Sequence, residues 1–152
     1  MSAPKTRKTY AEAISLFDRT LALNSRTVEA QSFLAIHLAG RVTADVTDTA
    51  AADMARAEAL AGQAVAASPR SALAHMAQAT VLRAQDRFNE AIRAYGAVLT
   101  LNRNFVPAYA NIAYAKLSGS TEEAIPLSKK PSGSVAVIPT SALGIGQLGE
   151  RI

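Results

Sequence analysis

The 152-residue chain contains no cysteine and no tryptophan, and aromatic residues make up only 5% of it. Without cysteine there is no disulfide framework, no thiolate metal site and no thiol nucleophile. No apolar run approaches the ~18 residues that a membrane-spanning helix needs. The basic start, Met1-Ser-Ala-Pro-Lys-Thr-Arg-Lys8, has no apolar segment behind it. It does not read as a secretory signal, and the expected location is the cytoplasm. Charge is modest: 16 Lys and Arg against 12 Asp and Glu give a formal +4. Alanine, by contrast, is abundant, with 33 residues. That favours helices packed at close range. The 49% of apolar residues suffices for a core, and the length suits one domain or a small repeat array.

Internal repeats organise the rest of the chain. Glu12-Ala13-Ile14-Ser15-Leu16-Phe17, Glu90-Ala91-Ile92-Arg93-Ala94-Tyr95 and Glu123-Ala124-Ile125-Pro126-Leu127 share one pattern. Arg56-Ala57-Glu58-Ala59-Leu60-Ala61 is a looser copy. Twelve positions after Ala13, Ala57 and Ala91 come Ser25, Pro69 and Arg103, each in a helix-ending stretch. Ala57 and Ala91 are 34 residues apart, and Ala91 and Ala124 are 33 apart. Apolar residues at i, i+3, i+4 and i+7 predict helices near 10–22, 28–40, 50–66, 71–84, 88–101 and 106–117. Thr9 with Glu12 reads as a capping box, and Asp86 and Thr121 read as caps of the helices carrying Ala91 and Ala124. Asp48 or Thr49 reads as the cap of the helix from 50. Pro69 and Pro107 fit helix boundaries, and Gly40 and Gly119 read as helix C-terminal glycines.

Over about residues 9–128 this pattern resembles the tetratricopeptide repeat family, whose unit is two helices and about 34 residues. Ala91 and Tyr95 match the small and aromatic positions of the family's second helix, and Ala13 with Phe17 repeats the pair. Ala57, Ala64 and Pro69 supply a third copy, while Tyr109, Ile112 and Ala113 match positions of the first helix. Departures are His75, Gln78 and Ala79 in place of bulky, Leu and Gly, and Thr20 and Val98 in place of the second Ala. The resemblance implies an all-α helix-turn-helix solenoid of about three repeats, with an irregular C-terminal tail. The basic lead is 1–8, the repeat domain 9–128 and the tail 129–152. From Val28 to Ser71 is 44 residues, ten more than a standard unit, and the polar stretch near 42–51 reads as an insertion.

The resemblance also implies a function. The first helix of each unit lines a concave groove that takes peptides or helices. Alignment places Ser32 and Ile36 on it, then Met76, Thr80 and Arg83, then Ala110, Asn111 and Tyr114. Leu73 and Pro107 stand where the family's carboxylate clamp would need a cation, so a C-terminal carboxylate ligand is not implied. The expectation is a non-catalytic interaction scaffold that binds a protein or peptide partner and uses no cofactor. The alternative is a regulatory fragment of a larger bacterial signalling protein. The stretch 38–60 resembles tetratricopeptide tails of class III nucleotide cyclases, although no cyclase segment is present. The array starts on a second helix and stops inside another, without polar caps, so association of the chain with itself is expected.

The other motifs carry less. Gly144-Ile-Gly146-Gln-Leu-Gly149 spells a dinucleotide fingerprint, but it lacks the following helix and the acidic residue that such a site needs. His37 and His75 have no ligand partners at metal-binding spacing and read as packing residues. Asp45, Asp48 and Asp53 do not match a calcium loop. The basic residues are split between the chain's ends rather than clustered on one face, which argues against a nucleic-acid site. Prolines and glycines interrupt the tail after Lys130. One reading of it is a frameshifted further repeat, which stop codons in the alternate frame would exclude. The other is a native cap.

Overall fold

The computed structural model describes residues 6–124. Among the described residues are six α-helices and no strand. They are α1 (Arg7–Leu23), α2 (Val28–Thr43), α3 (Ala50–Ala67), α4 (Ala72–Ala84), α5 (Phe88–Leu101) and α6 (Val106–Ala124). The all-α class therefore stands. The lead through residue 5, the end of the expected repeat domain from 125 and the tail lie outside the described residues.

Each helix packs on its neighbours in sequence, and α4 packs on α2 as well. The core falls into two clusters. One joins Ile14, Leu34, Leu38, Ala57, Ala61, Ala77 and Val81. The other joins Ala79, Ala91, Tyr95, Val98 and Ala108. Alanine is the commonest residue in both clusters, and a side chain of one carbon lets helix axes approach. A larger group at fully buried Ala57 or Ala91 would overpack the core by about 1–3 kcal/mol.

The connections recur in two kinds. Asn24 and Asn102 end α1 and α5 in one conformation, φ −148°, ψ 99° and φ −147°, ψ 97°. Their N–H groups donate to the Thr20 and Val98 carbonyls. Their side-chain oxygens accept from the Arg26 and Asn104 N–H groups, both at 3.1 Å. Ser68 ends α3 with the same backbone bond, to the Ala64 carbonyl. These are the three helix-ending stretches that the sequence spacing picked out.

The second kind is a Schellman motif. Val46 N–H donates to the Arg41 carbonyl and Asp45 N–H to that of Val42; Arg87 and Asp86 do the same to Leu82 and Arg83. Asp45 and Asp86 take the left-handed backbone region, φ 55° and 60°. Asp86 is thus the residue that closes α4, not the cap of α5. Arg87 holds that N-cap place, without a side-chain bond.

Other local expectations are corrected too. The capping box pairs Thr6 with Thr9, not Thr9 with Glu12, because α1 begins at Arg7. Thr49 occupies the N-cap of α3 but makes no capping bond. Gly40 and Gly119 lie inside α2 and α6, beneath Tyr10 and Phe88. α6 runs unbroken through Thr121, so Thr121 starts no new helix. The ten extra residues are also dispersed. α2 has 16 residues against 13 in α4, and α3 has 18 against 14 in α5. The remaining three lengthen the connection, 44–49 against 85–87.

Candidate functional site

The eight residues aligned to the groove fall on three helices: Ser32 and Ile36 on α2, Met76, Thr80 and Arg83 on α4, Ala110, Asn111 and Tyr114 on α6. They do not share one environment. Ser32 is fully buried, and its hydroxyl has no hydrogen-bond partner. Thr80 is buried too, with its Oγ1 donating to the Met76 carbonyl at 2.8 Å. These two line the inside of the fold. Ile36 is half-buried against the first core cluster and Met76 against the second. Asn111 turns its Nδ2 back to the Pro107 carbonyl at 2.8 Å, and Ala110 is exposed.

Arg83 and Tyr114 are brought together. The guanidinium lies 5.3 Å from the centroid of the half-exposed Tyr114 ring, at cation–π range. No carboxylate among the described residues pairs with Arg83, and its buried Nε has no hydrogen-bond partner. Beneath it the Tyr95 hydroxyl is also buried, near Thr80 and Arg83, at a geometry that completes no hydrogen bond. Burial pushes the Tyr95 hydroxyl up from its ordinary pKa, and the nearby Arg83 charge opposes that rise. The face thus presents one cation, one aromatic plane and the half-buried Met76 and Ile36. Such a mixture suits contact with an amphipathic segment.

The histidines have structural partners. His37 Nδ1 lies 2.7 Å from the Phe33 carbonyl, and His75 Nε2 lies 2.7 Å from the Pro69 carbonyl. A carbonyl only accepts, so each nitrogen carries the proton. His37 also packs edge to face on Tyr10 and against Phe17.

Sequence reasoning missed the densest polar cluster. Asp53 at the start of α3 receives two bonds from Arg41, at 2.7 and 2.5 Å, one from Thr47 at 2.6 Å and one from Thr49 at 3.1 Å. Its side chain is only 7% exposed. Burial pushes the Asp53 carboxyl up, but the Arg41 bonds and charge and the two threonine hydroxyls outweigh it and hold it below the ordinary value. The Thr49–Asp53 spacing of one helical turn was the available signal. Asp48, read as a cap, instead pairs with Arg7 at 2.7 Å. No three metal-ligating side chains converge among the described residues. A second polar recess, lined by Glu58, Gln78, Gln85, Arg87 and Glu90, is closed on itself through the Arg87–Glu58 and Arg87–Glu90 pairs. None of the described helices is long and apolar enough to cross a membrane.

Compared with known proteins, the chain matches no family model, no curated protein and no solved structure.

Proposed function

We propose that the chain is a tetratricopeptide-like repeat scaffold, non-catalytic, whose α2–α4–α6 face binds a segment of a protein partner. The observation that carries this reading is Arg83. A guanidinium lies on the exposed ring of Tyr114, yet no described carboxylate neutralises it. A positive charge held in place without a structural partner is available to a ligand, and Tyr114, Met76 and Ile36 offer apolar contact beside it. The recurring turns at Asn24, Ser68 and Asn102, with the paired motifs at Asp45 and Asp86, support a repeat solenoid.

The test is binding of displayed peptides by the full chain and by the triple variant Met76→Ala, Arg83→Ala, Tyr114→Ala. Enrichment of peptides by the wild type and its loss in a folded triple variant support the reading. Equal enrichment by both removes this face as the site.

A further inference from the structure

Arg83 stands apart from every other basic side chain among the described residues. Arg7, Lys8, Arg41, Arg56 and Arg87 each meet a carboxylate. The others that meet none are exposed, where water solvates them; Arg83 alone is half-buried. A charge withdrawn from water and left without a counter-charge costs free energy. What the fold supplies is the Tyr114 ring, 5.3 Å from the guanidinium. A ring face offsets that cost less than a hydrogen-bonded carboxylate does.

The surroundings define what would complete the site. The Arg83 Nε is buried and meets no acceptor. Beside it the Tyr95 hydroxyl, on a fully buried side chain, also meets none. Thr80, the third polar group there, donates its proton to the Met76 carbonyl of its own helix. Two donors are therefore unspent at one place, and the missing group is an acceptor. No other residue aligned to the groove carries a charge. One guanidinium matches one singly charged carboxylate, which accepts from two parallel N–H groups. A phosphate, with nearly twice the charge, would call for more cations than this face presents. Apolar surface lies on both sides of the charge. Met76 stands seven positions earlier on α4, about 10 Å along the helix, and the half-exposed Tyr114 ring lies across on α6.

We infer that Arg83 anchors an Asp or Glu side chain inside the partner segment, flanked by apolar residues that pack on Met76 and on the Tyr114 ring. This rests on the proposed binding of a segment by the α2–α4–α6 face, and adds the chemistry of the residue at the segment's centre. The donors of a guanidinium lie in its plane, so one held over a ring keeps an N–H edge for the acid.

The test selects random peptides, displayed without a free C-terminus, on the full chain. Those that the folded triple variant Met76→Ala, Arg83→Ala, Tyr114→Ala no longer binds are synthesised with amidated C-termini. Each is made in three forms: as selected, with its acid changed to the amide, and with its acid changed to Lys. Calorimetric titration then compares wild type, Arg83→Gln and Arg83→Glu, with circular dichroism as the check on folding. The selected peptides are expected to share one Asp or Glu. Its change to the amide is expected to weaken binding to wild type by about ten-fold or more. Arg83→Gln is expected to bind acid and amide forms equally, and Arg83→Glu to prefer the Lys form. Should Arg83→Gln lose its helices, the acid-to-amide change read on the wild-type chain alone decides. Peptides that need the face but share no acid, or an acid whose loss costs wild type and Arg83→Gln the same, overturn this inference and leave segment binding standing. No enrichment, or equal enrichment by the triple variant, removes both.

Discussion

The Arg83 guanidinium stacks on the ring of Tyr114, one helix of the face to another across 31 residues of sequence. An exposed cation–π pair contributes about 0.5–1 kcal/mol. Tyr114→Ala is therefore expected to lower the melting temperature by only a few degrees. Leu34→Ala, at a fully buried core position, is expected to cost about 2–5 kcal/mol. Paired thermal melts check the contrast. A large loss on removing Tyr114 would make it a core residue rather than a surface one.

The Asp53 cluster sets a pH dependence. Its folded pKa is below the unfolded value, so its contribution is fully present above the unfolded pKa and is lost as pH falls through the folded one. Stability is expected to decline below the ordinary aspartate range, near pH 4. Asp53→Asn leaves Arg41 without its counter-charge. The expected cost at neutral pH is roughly 3 kcal/mol, the lower end for breaking a buried pair. The variant's denaturation midpoint should also flatten between neutral and acid pH relative to wild type. Parallel slopes for the two proteins would remove Asp53 as the source.

Glycine positions divide by what stands over them. Nothing lies within 4 Å of a Cβ built on Gly62 or Gly96, both inside helices. Alanine there is expected to add up to about 1 kcal/mol through helix propensity. At Gly40 the same Cβ meets the Tyr10 ring and hydroxyl at 3.1 Å, so the gain is expected to be offset or reversed. Chemical denaturation of G62A, G96A and G40A orders them. G40A as stabilising as the other two would mean that Tyr10 yields freely.

Asp45 and Asp86 hold left-handed backbone where a β-branched side chain is strained. Asp86→Val is expected to destabilise by about 1–2 kcal/mol, and Asp86→Gly to be neutral or mildly stabilising. Thermal melts of both, compared with Asp45→Val and Asp45→Gly, check that the two turns behave alike.

The positions of all six helices were legible because each carries an apolar stripe at helical spacing. Their ends were less so. An Asp just before a helix can cap it or close the preceding one, and at Asp86 the bond from Arg87 to Leu82 decides, which local sequence does not display. A glycine after an apolar stripe can end a helix or make room for a distant ring, and only the fold brings Tyr10 to Gly40. Within the candidate site the repeat spacing placed Arg83 and Tyr114 on neighbouring surfaces. It could not separate Ser32, sealed by the packing of α2, from Ile36 one turn further on, which remains half-buried.

The most direct test of the scaffold reading is amide chemical-shift mapping of the full chain with a peptide selected from a random display library. The largest shifts are expected on α2, α4 and α6, centred on Ile36, Met76, Arg83 and Tyr114, and Arg83→Ala is expected to weaken binding at least ten-fold, about 1.4 kcal/mol. Shifts centred on another surface, or binding unchanged in Arg83→Ala, would contradict the scaffold reading.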